Sequence, residues 1–235
     1  MLSVPSGATR CYLRRVDPLL SELAAIVAEA EHAGIGVLVI GACALRTYLL
    51  RPEARATVDL DLLIAAAGRA GMEDILRRRG FQIYAMGPWL RAERPLGTPR
   101  IVDVAIDAIV DLASFEKYPL RPADGQRRRE AGGPELPVPA LEDLVAQKLI
   151  ACREKDVLDV LLVALGPGLD PTRLADGIEA RDVEIPVRRG LLELFASARS
   201  GRLAQLWAER TGETLAPDEL NRGVRSLQAW FGVSA

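Results

Sequence analysis

The sequence predicts an α/β (α+β) chain, with an α/β half over residues 1–135 followed by an all-helical half over residues 136–235. Three observations predict it. Short apolar runs at 36–40, 58–64, 81–86 and 100–106 are strand-sized and interleave with helical segments. From residue 140 onward, apolar residues recur at helical spacing with no strand-like run among them. Between the halves, Gly132-Gly133-Pro134 and the extended piece Leu136-Pro137-Val138-Pro139 punctuate the chain as a hinge at 132–139.

Each element follows in order. Residues 16–33 carry apolar residues at helical spacing and stop at Gly34. Residues 36–40 read as a short strand that ends in Gly41-Ala42, and 42–50 as the helix after it. Residues 58–64 read as a second strand and 71–79 as a short helix closed by Gly80. Residues 81–86 read as a third strand, and Pro88, Pro95, Gly97 and Pro99 mark a turn-rich stretch. Residues 100–106, Arg-Ile-Val-Asp-Val-Ala-Ile, alternate as a fourth strand. Residues 107–135 read as irregular, with Arg127, Arg128 and Arg129 in a charged segment. Helices are expected at 140–152, 154–165, 171–180, 186–199, 201–210 and 216–231.

Composition narrows the class. The chain has 235 residues, 49% of them hydrophobic and 26% charged, enough for a sizeable core. No run is long and apolar enough for a transmembrane helix, and the first residues lack an apolar signal core, so a cytoplasmic protein with no membrane partner is expected. Cys11, Cys43 and Cys152 are odd in number and scattered, neither a disulfide framework nor a metal-spaced set. One histidine, His32, leaves no room for a histidine-rich metal centre. The net charge of −2 gives no global electrostatic case for nucleic acid. Only 3 of the 30 basic residues are lysines: Lys117, Lys148 and Lys155.

The chemistry concentrates in two carboxylates. Alternate side chains of a strand share a face, so Asp59 and Asp61 point the same way and Leu60 and Leu62 the other. Two acids side by side in an apolar strand repel each other and are costly to bury unpaired, and a divalent cation between them removes both costs. Oxygen ligands with no His or Cys nearby favour Mg²⁺ (or Mn²⁺) over zinc. Asp103 sits centrally in the fourth strand. If that strand neighbours the second, three carboxylates converge and two metal ions could bridge them. The alternative for Asp103 is a buried acid paired with an arginine. Gly41 and Ala42, between strand and helix, read either as an ordinary turn or as backbone N–H groups aimed at a phosphate.

Lys148, Lys155, Asp156 and Asp159 cluster on two consecutive helices with Asp143 and Gln147. Taken alone they read as a solvated, salt-bridged helix pair. Against that, two of the three lysines fall here, and an ammonium binds phosphate as a point charge that arginine does not replace. The Arg127–Arg129 run is either a solvated face or a contact for a polyanionic acceptor. Trp207 and Trp230 read as core of the helical half. Trp89 reads as packed, with base stacking as the alternative.

These residues resemble a family. Strand, Gly-small, helix, then R-x-T-x-D-h-D-h and a later h-D-h strand are similar to the nucleotidyltransferase superfamily with the DNA polymerase beta-type core. Here the signature is Gly41-Ala42, Arg55, Thr57, Asp59-Leu60-Asp61 and Asp103. The segment at 140–160, with its Lys148 and Lys155-Asp156, resembles the AbiEii-like branch, which includes toxins of toxin–antitoxin systems. The resemblance covers roughly residues 34–165. It implies a nucleotidyltransferase core with a small mixed sheet and Mg²⁺-dependent transfer of an NMP from an NTP to an acceptor hydroxyl, with pyrophosphate released. The acceptor could be tRNA, a protein or a small molecule, and an antitoxin is a possible partner. It implies that Gly41, Ala42, Arg55, Thr57, Lys155 and Asp156 help bind the nucleotide. Lys148 would contact its triphosphate, and Asp59, Asp61 and Asp103 would hold metal. Two departures stand out: Ala42 replaces the usual Gly or Ser, and Arg51-Pro52-Glu53 lengthens the loop before Asp59. Ala42 leaves a catalytically degenerate, nucleotide-binding member of the fold as the alternative.

Overall fold

The computed structural model describes residues 17–50, 52, 55–111, 115–130 and 132–232. Cys11, and Arg51 and Glu53 of the expected loop insertion, lie outside the described residues.

Helix α1 (Pro18–His32) starts where Asp17 accepts a hydrogen bond from Leu19 N at 2.9 Å, with Pro18 pre-set in the first turn. Its buried stripe of Leu19, Leu23, Ile26 and Ala30 packs toward α3 (Arg69–Arg78) and β1 (Val37–Val39). A five-stranded sheet follows in the order β1-β2-β5-β4-β3, with β2 at Leu60–Ile64, β3 at Gln82–Met86, β4 at Trp89–Glu93 and β5 at Ile101–Ile106. β2 and β5 are parallel, and the other pairs are antiparallel, so the sheet is small and mixed. The parallel pair needs a crossover, and α3, β3 and β4 supply it.

Helix α2 (Gly41–Arg46) is shorter than the expected 42–50. Thr47 turns its hydroxyl back onto Ala44 O at 2.8 Å, and Tyr48 hydroxyl donates to Pro139 O at 2.6 Å, drawing the chain off the helix axis. Strand β4 was not expected. Its start at Trp89 follows the Gly87-Pro88 turn, so the prolines flank a strand that the turn signals obscure.

The stretch expected to be irregular holds two hairpins. β6 (Ala108–Val110) pairs with β7 (Lys117–Pro119), and β8 (Gln126–Arg129) with β9 (Glu135–Val138). Strands this short, one of them Gln-Arg-Arg-Arg, show no apolar alternation, so tertiary pairing decides them. The Arg127–Arg129 run lies in β8. Arg127 pairs with Glu31 at 2.5 Å, and the Arg128 guanidinium stands 4.1 Å from the Tyr48 ring centroid.

The helices of the second half fall within two residues of expectation: α4 (Leu141–Ala151), α5 (Glu154–Ala164), α6 (Pro171–Ala180), α7 (Glu184–Arg199), α8 (Arg202–Thr211) and α9 (Pro217–Phe231). Trp207 is buried and Trp230 partly so. One continuous buried cluster runs from Leu19 through the sheet to Leu227. A second contact joins the helices closely: a Cβ on Gly190 of α7 would strike the Leu149 carbonyl of α4. Among the described residues no helix is long and apolar enough to cross a membrane.

Candidate active site

Two strands place acids and a third an arginine. The parallel register sets Asp61 opposite Asp103, and the antiparallel register sets Arg91 opposite Asp103. Directly opposed residues share a sheet face, so Asp61, Asp103 and Arg91 form one cross-strand row. Asp59 lies just before β2 and lines the same cleft as Asp61 and Asp103. Gly41 fixes the end of the row. It has φ +63°, and a Cβ there would overlap the Asp61 carboxylate, so only glycine lets the β1–α2 turn close over this acid. The turn is tied down where Ile40 N donates to Asp61 O at 2.9 Å.

The opposite wall comes from the α4–α5 hairpin. Cys152 ends α4 in the left-handed region at φ +47°, and α5 begins two residues later. That tight turn brings Lys148 against Asp156 and Asp159. Lys148 Nζ stands 2.8 Å from Asp156 Oδ1 and 2.8 Å from Asp159 Oδ2. Arg153 reaches Asp156 Oδ2 at 2.5 Å, and Arg55, from the loop before β2, reaches Asp159 Oδ1 at 2.5 Å. The result is an alternating chain, Arg55–Asp159–Lys148–Asp156–Arg153, with one positive charge in excess and both carboxylates fully buried. The solvated reading of this helix pair, weighed in the sequence against a phosphate site, does not hold: Lys148, Asp156 and Asp159 are buried, and Lys148 pairs with both carboxylates.

The two walls differ electrostatically. Burial pushes the Asp61 carboxyl up, with Lys148 and Lys155 opposing and Asp59 reinforcing the rise. Burial also raises Asp103, against the pull of Arg91 and with the push of Asp61 and Asp59. Across the cleft, burial works to raise Asp156, but Lys148 and Arg153 outweigh it and hold it below the usual carboxylate range. Burial works to lower Lys148, and Asp159 and Asp156 outweigh it and hold the ammonium charged. Lys155 is lowered, first by burial and then by Arg153.

A cleft of about 410 Å³ opens between these walls. The residues that the family resemblance implies for the site all line it: Gly41, Ala42, Arg55, Thr57, Asp59, Asp61, Asp103, Lys148, Lys155 and Asp156. Ala42 is buried, and Thr57 hydroxyl donates to Asp59 O at 3.3 Å. Arg91, Arg153, Trp89, Met86 and Gln147 also line the cleft. Of these, Arg91 could have been found only by recognising β4, where alternation puts it, with Trp89, on the face of Asp103 and Ala105. Asp143 is drawn away instead, accepting from Tyr118 hydroxyl at 2.6 Å and pairing with Arg181 at 3.1 Å. The Arg127–Arg129 run does not line this cleft.

The donor set suits a hard divalent cation: carboxylate oxygens only, raised by burial and mutual repulsion, so that a cation would relieve both. Among the described residues, no three acidic, histidine or cysteine side chains stand together as a finished metal cage.

No protein-family model matches the chain, and no curated protein sequence matches it. Solved structures do. The nucleotidyltransferase toxin MenT4 of Mycobacterium tuberculosis aligns over 92% of this chain and 84% of its own, at 16% identity and a TM-score of 0.50. The antibiotic-resistance factor ANT(2'')-Ia aligns over 83% of this chain and 97% of its own, at 18% identity and a TM-score of 0.42. An antigenic nucleotidyltransferase-like protein from Paracoccidioides brasiliensis aligns over 74% and 93%, at 15% identity and a TM-score of 0.41. The chain has the nucleotidyltransferase fold, a mixed sheet carrying the acids with helices following it. Among these structures it is similar in fold to MenT4, helical half included.

Proposed function

We propose that the cleft transfers an NMP from a nucleoside triphosphate to an acceptor hydroxyl, with Mg²⁺ (or Mn²⁺) as cofactor and pyrophosphate as the second product. The observation that carries this reading is the convergence on one cleft of an acidic sheet face and a cationic helix wall. Asp59 and Asp61 would hold the divalent cation, which neutralises triphosphate charge and the charge developing at the α-phosphate.

The other roles belong to the chain's own groups. Gly41 lets the backbone at the β1–α2 turn approach a phosphate closely, and Ala42 adds a backbone N–H but no hydroxyl. Lys155 and Arg153 supply positive charge to the triphosphate. Lys148, held between Asp156 and Asp159, adds charge to the wall and fixes the arginines on either side. Arg55 and Thr57 shape the loop that delivers Asp59. Asp103, raised by burial, accepts the proton of the attacking hydroxyl. The acceptor oxygen then forms a bond to the α-phosphorus, the bond from that phosphorus to the bridging oxygen breaks, and pyrophosphate leaves with its electron pair. The halves divide the work at 135/136: the first brings the carboxylates and the second Lys148, Arg153 and Lys155.

MenT4 is a nucleotidyltransferase toxin, and the shared fold extends that possibility to this chain. In that case the acceptor is a tRNA end, a protein hydroxyl or a small molecule, an antitoxin is the partner and the cytoplasm the place of action. Incubating the protein and Mg²⁺ with each nucleotide labelled at the α-phosphate, in total RNA and in lysate, reads out both base preference and acceptor class. Label transfer that survives Asp59→Asn would contradict the mechanism. Ala42, which offers no hydroxyl to a triphosphate, favours one second reading, a nucleotide-binding member without turnover. Calorimetric binding of Mg²⁺–nucleotide with no pyrophosphate formed would select it.

A further inference from the structure

The sequence motifs leave Arg91 out, yet it stands in the row of acids. Asp61 and Asp103 are cross-strand partners, and so are Asp103 and Arg91, so the β2-β5-β4 row reads acid, acid, guanidinium. Arg91 Nη1 lies 3.6 Å from Asp103 Oδ2. Its Nε donates to Glu93 Oε1 at 2.6 Å, two residues along the same strand, which steadies the head group. A guanidinium keeps its charge throughout the accessible pH range, and the Glu93 hydrogen bond first, then Asp103 and Asp59, favour that charge here against burial.

Asp59, Asp61 and Asp103 bring three negative charges, and Arg91 brings one positive charge that it shares with Glu93, so a single divalent cation leaves one negative charge on this face and a second would overshoot it. A second would meet a fixed positive charge beside one of its own ligands, with Lys155 facing it across the cleft. The remaining acids of the cleft, Asp156 and Asp111, both strengthen the charge of Arg153.

We infer that Arg91 serves as the built-in counter-ion of Asp103, so that the nucleotide-free cleft takes one divalent cation at Asp59 and Asp61 in place of the two that three carboxylates would hold. The inference rests on the metal-dependent reading above and sharpens it. Asp103 is left free of metal to take the acceptor's proton, with Arg91 holding its charge and orientation.

The test is a count of bound Mn²⁺ per chain, by electron paramagnetic resonance or calorimetry, with no nucleotide and no turnover. The wild type should bind one. Arg91→Met should bind two, and Arg91→Gln, which keeps a hydrogen-bonding group for Glu93, should do the same. Arg91→Lys, which keeps the charge, should bind one. Adding Asp103→Asn to Arg91→Met should return the count to one, and Asp61→Asn should abolish binding. Arg91 is partly exposed, and thermal unfolding confirms that each variant is folded. Two ions on the wild type, or one ion on both neutral Arg91 variants, would overturn the inference and leave the proposed function standing. No ion on the wild type would overturn the metal-dependent reading, and the inference with it.

Discussion

At residue scale, the closest constraint on the cleft is the contact between Gly41 and Asp61. Gly41→Ala must accept a strained φ and push aside the carboxylate. The expected cost is about 1 kcal/mol or more in unfolding free energy, together with loss of cation binding, read by thermal unfolding and Mn²⁺ titration. Asp61→Asn separates function from stability. Burial and Asp59 disfavour its charged form, so the amide should leave the cation-free protein as stable as the wild type or more so. Nucleotidyl transfer should fall by roughly 10³-fold, as expected when several kcal/mol of charge stabilisation is removed. A marked drop in melting temperature for Asp61→Asn would mean that the carboxylate has a structural role instead. These residues were legible in the sequence because acids in apolar runs have few packing explanations. Arg91 was not, because its strand is flanked by Pro88, Pro95, Gly97 and Pro99, and arginine in a turn-rich stretch carries no signal.

At element scale, the α4–α5 hairpin is held by buried ions. Removing one partner strands the others, so Asp159→Ala, which leaves Lys148 and Arg55 short of a carboxylate, should cost about 3–5 kcal/mol by chemical denaturation. The pH dependence follows from Asp156. Its folded value lies below the ordinary carboxylate range, so its contribution is complete above the unfolded value of about 3.9 and is lost as pH falls through the lowered folded value. Asp156→Asn should therefore be less stable at neutral pH and show a flatter loss of stability below about pH 4, measured by urea titration across pH. The α4–α7 contact makes a simpler prediction. A Cβ at Gly190 strikes the Leu149 carbonyl, so Gly190→Ala should destabilise by about 1–3 kcal/mol. The helices themselves were legible from periodicity. The pairing of Lys148 with both aspartates was not, because it depends on the two-residue turn at Cys152, whose left-handed conformation nothing in its residue type announces.

At the scale of the whole molecule, the fold class could be read in advance, while the middle of the chain could not. The β6–β7 and β8–β9 pairs are too short and too charged to show alternation, and the β8 pairing is supported by neighbours such as Tyr48 and Glu31. The continuous buried cluster has a further consequence: sheet and helices should unfold together. Differential scanning calorimetry should give one transition, although the proposed chemical roles are divided between the two halves. Function is tested most directly by pyrophosphate release from each nucleoside triphosphate in the presence of Mg²⁺ and a cell extract supplying acceptors, with wild type and Asp61→Asn compared side by side. Release by the wild type with at least one nucleotide, lost in Asp61→Asn, is the result predicted here. No release with any nucleotide, or equal release by Asp61→Asn, would contradict a nucleotidyltransferase working through this cleft.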